Sequence, residues 1–452
     1  MTRRILKNAR VGMAGTAFLA VFGGLLSLGA VALQSTPASA IVATGQAYFP
    51  ITPTRIYDTR AATNVGGGTT LGPNGIAVVT IPNTAPAGST AVVLNVTATN
   101  GSQLSYFTVF PTGSTTAIQT GGANANYSNL NFSPGENQPN LVTVPIGTGP
   151  SVSIYNHSGT ADVVVDLEGY FATPATSAGQ FFPLTPTRIT DTRPGSGQVN
   201  AGSTIGPAGV LAVQIDGAGG VPNPGTNEVS AVELNITVTN TTADSFLTVW
   251  PQGSSRPTAS NLNWSTGNTV ANRVIVPIQQ VINGGINIYN FLGNTDVVVD
   301  VVGWFSNASY GSANGNYFNA VQPARLSDTR TGSGSQNAGV PLTGNTSELV
   351  QVSAHGGVPA STAGAPITAA VLNITEADAT QSSFLTVYPP AGTPPLASDL
   401  NFVPNDVIAN GDMVSLSTTG TFGQVQIYNF SGTTDVVVDV FGYFVPVTPV
   451  GP

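Results

Sequence analysis

Asp162-Val163-Val164-Val165-Asp166-Leu167-Glu168-Gly169-Tyr170-Phe171 decides the fold. Alternate residues of an extended strand share a face. Asp162, Val164 and Asp166 therefore point one way, and Val163, Val165 and Leu167 the other. A strand apolar on both faces is covered on both, so an aspartate among those apolar side chains is partly buried and needs a partner. The stretch recurs as Asp296 to Asp300 with Gly303-Trp304-Phe305, and as Asp435 to Asp439 with Gly442-Tyr443-Phe444.

Working outward, other landmarks recur in the same order. Arg55-Ile-Tyr-Asp58-Thr-Arg60 returns as Arg188-Ile-Thr-Asp191-Thr-Arg193 and Arg325-Leu-Ser-Asp328-Thr-Arg330. Between the two motifs lie Leu94-Asn95-Val-Thr97, Asn129-Leu-Asn131 and Asn140 in the first copy. The second copy has Leu234-Asn235-Ile-Thr237, Asn261-Leu-Asn263 and Asn272; the third has Leu372-Asn373-Ile-Thr375, Asp399-Leu-Asn401 and Asn410. Arg55 to Arg188 is 133 positions and Arg188 to Arg325 is 137, the size of whole domains rather than solenoid units.

Short apolar runs bounded by Gly, Pro and Asn predict an all-β chain of three tandem antiparallel β-sandwich (or small barrel) domains. The expected boundaries are 41–171, 179–305 and 315–445, joined by flexible linkers at 172–178 and 306–314, with a tail at 446–452. Residues 1–40 read as a signal peptide. Arg3, Arg4, Lys7 and Arg10 precede an apolar stretch, and Ala38-Ser39-Ala40 offers a cleavage site. An uncleaved anchor is the alternative.

Four of the 12 Lys and Arg lie in that leader, leaving eight arginines against 21 acids, a net of −13. Such a chain cannot neutralise a run of phosphates, and an anionic membrane repels it, so neither nucleic acid nor membrane is expected as a partner once the signal is cleaved. With no cysteine, an exported chain of this kind depends on packed cores.

Six of the eight arginines fall in the repeated motif. The expectation is a structural ion-pair network within each copy: Arg55, Asp58, Arg60, Asp162 and Asp166; Arg188, Asp191, Arg193, Asp296 and Asp300; Arg325, Asp328, Arg330, Asp435 and Asp439. Extended geometry places Arg60 with Asp58 on one face, so Arg60, aided by Arg55, is expected to reach Asp166 or Asp162. The first and last aspartates of Asp-Val-Val-Val-Asp are about 13 Å apart, too far to share one small cation or to cooperate in glycoside hydrolysis. Calcium on one of them is the only metal alternative, and the adjacent arginines oppose it; no other cofactor is expected.

No catalytic residue is assigned. His157 and His355 are not equivalent positions, and there is no thiol or Gly-x-Ser-x-Gly elbow. Trp250, Trp264 and Trp304 could stack on sugar rings, but each aligns with a Phe or Tyr in the other copies, which favours packing. The asparagines of the Leu-Asn and Tyr-Asn motifs are expected to satisfy nearby backbone groups.

Taken together, R-x-x-D-T-R, L-N-V-T, S-N-L-N and D-V-V-V-D-x-x-G-Y-F resemble a β-rich repeat of exported actinobacterial proteins, found in tandem or beside secreted hydrolases. The resemblance covers nearly all of the chain after the leader. It implies location and architecture rather than a mechanism. The third copy departs at Asp399, and at Ser417 in place of the strand-ending Pro145 and Pro277. The expected function is that of a secreted or cell-surface protein, structural or adhesive, whose partners are envelope or extracellular polysaccharide or protein. Carbohydrate binding is the alternative and hydrolysis a distant one.

Overall fold

The computed structural model describes residues 45–447 apart from 64, 115–126, 175, 177, 280–283, 311, 313 and 391. The expected signal peptide and its cleavage site lie outside the described residues. The first repeat forms β1 (Ala47–Asp58), β2 (Ile76–Thr80), β3 (Ala91–Thr99), β4 (Ser105–Pro111), β5 (Leu130–Phe132), β6 (Gln138–Pro145), β7 (Ser151–Asn156) and β8 (Asp162–Ala172). They pair antiparallel into two sheets, ordered β1-β8-β3-β6 and β2-β7-β4-β5. Those two sheet orders, with successive strands changing sheet except at the β4–β5 hairpin, are those of a jelly roll.

The second repeat repeats the order with β9 (Phe181–Asp191), β10 (Val210–Gln214), β11 (Val229–Thr239), β12 (Ser245–Pro251), β13 (Leu262–Trp264), β14 (Val270–Pro277), β15 (Gly285–Asn290) and β16 (Asp296–Ser306). The third uses β17 (Asn316–Asp328), β19 (Thr346–Gln351), β20 (Ala369–Ala377), β21 (Ser383–Tyr388), β22 (Leu400–Phe402), β23 (Val407–Ser415), β24 (Gln424–Asn429) and β25 (Thr433–Pro446). It adds a two-residue strand, β18 (Leu342–Thr343), against β25. The all-β sandwich expectation is therefore met.

Each sandwich encloses its own core; Val163, Val165 and Leu167 lie in the first, on the face their alternation assigned them. Their strand neighbours turn outward, yet all of β3 is buried. What covers that second face is a further core shared by all three repeats. Tyr48, Phe171, Phe318, Phe444, Phe181 and Phe305 form a closed ring of aromatic neighbours at centroid distances of 5.2, 4.2, 5.4, 4.6, 4.9 and 4.4 Å. Two come from each repeat, one from its first strand and one from its last, in a pseudo-threefold arrangement. The first strands also meet through backbone pairs: Gln46 with Phe318, Asn316 with Phe181, and Tyr48 N to Gly179 O.

This shared core corrects the expectation of separate domains on flexible linkers. Ala43–Pro452 is one compact unit. Where described, the second connection is tied down: Asn307 N donates to Glu228 O and Gln180 Nε2 to Ser312 O. The glycine of each Gly-Tyr-Phe or Gly-Trp-Phe motif serves the ring. A Cβ on Gly169, Gly303 or Gly442 would strike the ring of Tyr48, Phe181 or Phe318. Strand register also moves one substitution: Ala91 faces Pro145, Ala231 faces Pro277 and Ala369 faces Ser415, so Ser415, not Ser417, replaces the strand-ending proline.

Candidate functional site

Arg55 grips Asp166 side-on, with Nε to Oδ1 at 2.8 Å and Nη2 to Oδ2 at 3.0 Å. Its Nη1 donates to Asp58 at 3.2 Å. Arg188 holds Asp300 at 2.9 and 3.0 Å, and Arg325 holds Asp439 at 2.5 and 3.4 Å. Arg60 bonds not to Asp166 or Asp162 but to Asp58, two residues away, through Nε at 2.9 Å and Nη2 at 2.6 Å. Arg193 with Asp191 and Arg330 with Asp328 repeat this.

The expected pairing is thus corrected, and the cause is a β-bulge. The register shifts between Arg55 and Tyr57, and likewise between Arg188 and Thr190 and between Arg325 and Ser327. One extra residue in the strand reverses the facing of what precedes it. Arg55 therefore shares a face with Asp58, and uniform alternation assigns it to the wrong side.

Asp162 takes no arginine either. Thr59 and Thr70 hydroxyls donate to it at 2.8 and 2.7 Å and the Asn100 amide at 2.8 Å. Thr192, Thr204 and Asn240 do the same for Asp296. In the third repeat Thr329 reaches Asp435, while Asp378 stands where the others have Asn100 and Asn240, all three in left-handed backbone.

Burial alone would raise Asp58, but hydrogen bonds from Arg60 pull its carboxyl down to about 2. Asp166, Asp300 and Asp439 go the other way: burial raises all three against the pull of their arginines, Asp439 to about 6. These carboxylates are saturated by internal donors. Among the described residues, no three His, Cys, Asp or Glu side chains converge on a metal position.

Asn156, Asn290 and Asn429 of the Tyr-Asn motif donate to backbone carbonyls of their own repeat, as expected, whereas the Leu-Asn asparagines act between repeats. Asn95 Nδ2 donates to Ser260 O, Asn235 to Ser398 O and Asn373 to Ser128 O. Asn272 donates to Asn95 Oδ1, Asn410 to Asn235 Oδ1 and Asn140 to Asn373 Oδ1. First to second, second to third and third to first, the bonds close a cycle.

Among the described residues, one interface of the three carries ion pairs. Arg273 is fully buried against Asp399 and Asp412 of the third repeat, with its Nη2 2.6 Å from Asp412 Oδ1. Leu141 and Gly411 stand opposite the equivalent asparagines in the other copies. Desolvation would lower Arg273, but Asp412, Asp399 and Glu233 hold it charged. Burial raises Asp399 and Asp412, opposed by Arg273, and pushes Glu233 up to about 8. Glu233 and Asp412 border a cavity of about 10 Å³, room for one water. Sequence reading noted Asp399 as a departure but missed Arg273; an unmatched arginine and an unmatched acid in different copies were the available signal.

Trp250, Trp264 and Trp304 are all buried, and Trp304 stacks on Phe182 with centroids 4.0 Å apart. They are unavailable as sugar platforms. Among the described residues, the exposed aromatics are Phe291 and Phe430, each just past the end of an outer-sheet strand, β15 or β24. Phe246 stacks with Phe291 and Phe384 with Phe430, at 4.9 and 4.8 Å, and Tyr106 stacks with His157 at the matching place in the first repeat. The Phe384–Phe430 pair lines a cleft of about 340 Å³ between the second and third repeats, whose opposite wall carries Arg193 and Thr237.

No protein-family model and no curated protein matches the chain. Among solved structures, a chain from Sulfolobus turreted icosahedral virus aligns at 10% identity and a TM-score of 0.17, covering 88% of this chain and 90% of its own. The major capsid protein P2 of bacteriophage PM2 aligns at 6% identity and a TM-score of 0.15, covering 60% and 99%. The CBM22-1–CBM22-2 tandem of Paenibacillus barcinonensis Xyn10C aligns at 10% identity and a TM-score of 0.15, covering 58% and 99%. Scores this low carry no argument about this chain. The strand order of each repeat and the core they share define the class: a single-chain pseudo-trimer of jelly rolls.

Proposed function

We propose that this chain is an exported, non-catalytic scaffold acting at the cell surface or in the extracellular matrix, in a structural or adhesive role. One observation carries the reading. Three jelly rolls spend one face each on a shared core and present three outer sheets from one compact unit. Repetition raises the avidity of weak contacts without any new contact chemistry. The arginine clasps fit a structural role, since each motif arginine is paired with an aspartate of its own repeat.

The test is fractionation of producing cells with N-terminal sequencing. Protein starting near Ile41 in the wall or medium supports the reading. Intact protein confined to the cytosol overturns it. Carbohydrate binding is the second reading, favoured by stacked ring pairs at equivalent places in all three repeats, the outer ring being exposed as Phe291 in the second and Phe430 in the third.

A further inference from the structure

We propose that the cleft between the second and third repeats binds a neutral polysaccharide chain, with Phe430 as its stacking platform. The proposal rests on the carbohydrate-binding reading and names its site.

Phe430 is 49% exposed, which leaves ring surface open to a ligand. Its ring lies nearly parallel to that of Phe384, with 14° between planes, so its orientation is fixed before any ligand arrives. A pyranose offers a face of C–H groups and a rim of hydroxyls. Phe430 supplies the apolar surface for the face. The hydroxyls of Thr239 and Thr269, themselves 2.9 Å apart, and the Asn401 amide supply hydrogen-bonding groups for the rim. A few polar groups around an apolar floor is the usual composition of a small-ligand site.

The shape points to a chain rather than a single sugar. The cleft continues on one side into a space of about 500 Å³ that shares Thr269, Phe384, Asn401 and Phe430. On the other it meets one of about 390 Å³ that shares Arg188, Arg193 and Leu396. A groove continuing at both ends accommodates a polymer passing through.

Charge points to a neutral one. Arg188 and Arg193 border the cleft, but Asp191 and Asp300 match them one for one, and Arg193 already gives Nε and Nη2 to Asp191. The whole chain carries a formal charge of −9, which repels a polyanion. The remaining guanidinium edge is suited to donating to a sugar hydroxyl. Repetition adds weight, because Phe246–Phe291 sits at the matching place one repeat earlier.

The test is affinity electrophoresis of the full chain in native gels containing xylan, galactomannan, hydroxyethylcellulose or, as the acidic comparison, polygalacturonate. At least one neutral polymer should retard the protein. Phe430→Ala should weaken that retardation several-fold, and Phe291→Ala with Phe430→Ala at least about tenfold, each with an unchanged unfolding midpoint. Val78→Ala, an equally exposed apolar position on the first repeat's outer sheet, should change nothing. Retardation indifferent to both phenylalanine variants overturns this cleft while leaving carbohydrate binding in place. Retardation by polygalacturonate alone overturns the neutral assignment. None by any polymer overturns the site and the carbohydrate reading together.

Discussion

At the scale of residues, the six motif arginines divide into two sets of unequal worth. Arg55, Arg188 and Arg325 bridge first strand to last, and their side chains are 10–19% exposed. Arg60, Arg193 and Arg330 are 39–48% exposed and hold an aspartate two residues away. Removing one partner of a buried pair leaves an uncompensated charge, so Arg188→Ala should cost about 3 kcal/mol. Arg193→Ala should cost about 1 kcal/mol or less, as exposed pairs do. Urea unfolding of the full-length variants checks the order; equal losses would contradict the division.

Glu233 contributes to the pH dependence together with Glu348 and Glu376, which burial also raises to about 8. The folded Glu233 pKa of about 8 stands above the ordinary carboxylate value because burial disfavours the charge. Between those values the folded state holds a proton that the unfolded state has released, so stability falls as pH rises. The stabilisation is complete below about pH 4 and lost by about pH 8. Asp58, lowered to about 2, acts in the opposite sense and loses its contribution as pH falls from about 4 to 2. Glu233→Gln should reduce the slope of stability between pH 5 and 8, measured by urea midpoints across that range; an unchanged slope would reject Glu233 as a contributor.

At the scale of elements, the bulge and the glycine decide what the strands can do. The bulge in β1 turns Arg55 onto the face of Asp58 and brings it opposite Asp166. The motif glycine of β16 leaves space for Phe181, a member of the aromatic ring. Gly303→Ala should overpack that contact and cost about 1–3 kcal/mol, read from the unfolding midpoint. A neutral result would show that the ring can shift aside.

At the scale of the whole molecule, closure is what matters. The ring joins the first repeat to both others, with Phe171 on Phe318 and Tyr48 on Phe305. A chain cut after residue 314 would leave Phe171 and Phe181 without their third-repeat neighbours. Large apolar patches of that kind drive association. The shortened chain should self-associate in analytical ultracentrifugation, while the full chain unfolds in one transition. A soluble monomeric two-repeat chain would show the repeats to be self-sufficient.

Local pattern carried much of this into the sequence. Asp162 to Leu167 announces a strand covered on both faces, and the repeated landmarks mark three sandwiches, because alternation and turn residues act over a few positions. The pairing of Arg55 rather than Arg60 with Asp166 was not legible, since a single bulged residue reverses facing without changing composition. Nor was the cycle through Asn95, Asn235 and Asn373, whose partners lie 163 to 245 positions away. Sequence by itself determined the strands, the repeats and the need of each buried aspartate for donors. Tertiary structure alone decided which donors those are, and that three second faces are buried against one another. Apolar surface states only that it must be covered; what covers it depends on which surfaces can meet without leaving a polar group unpaired.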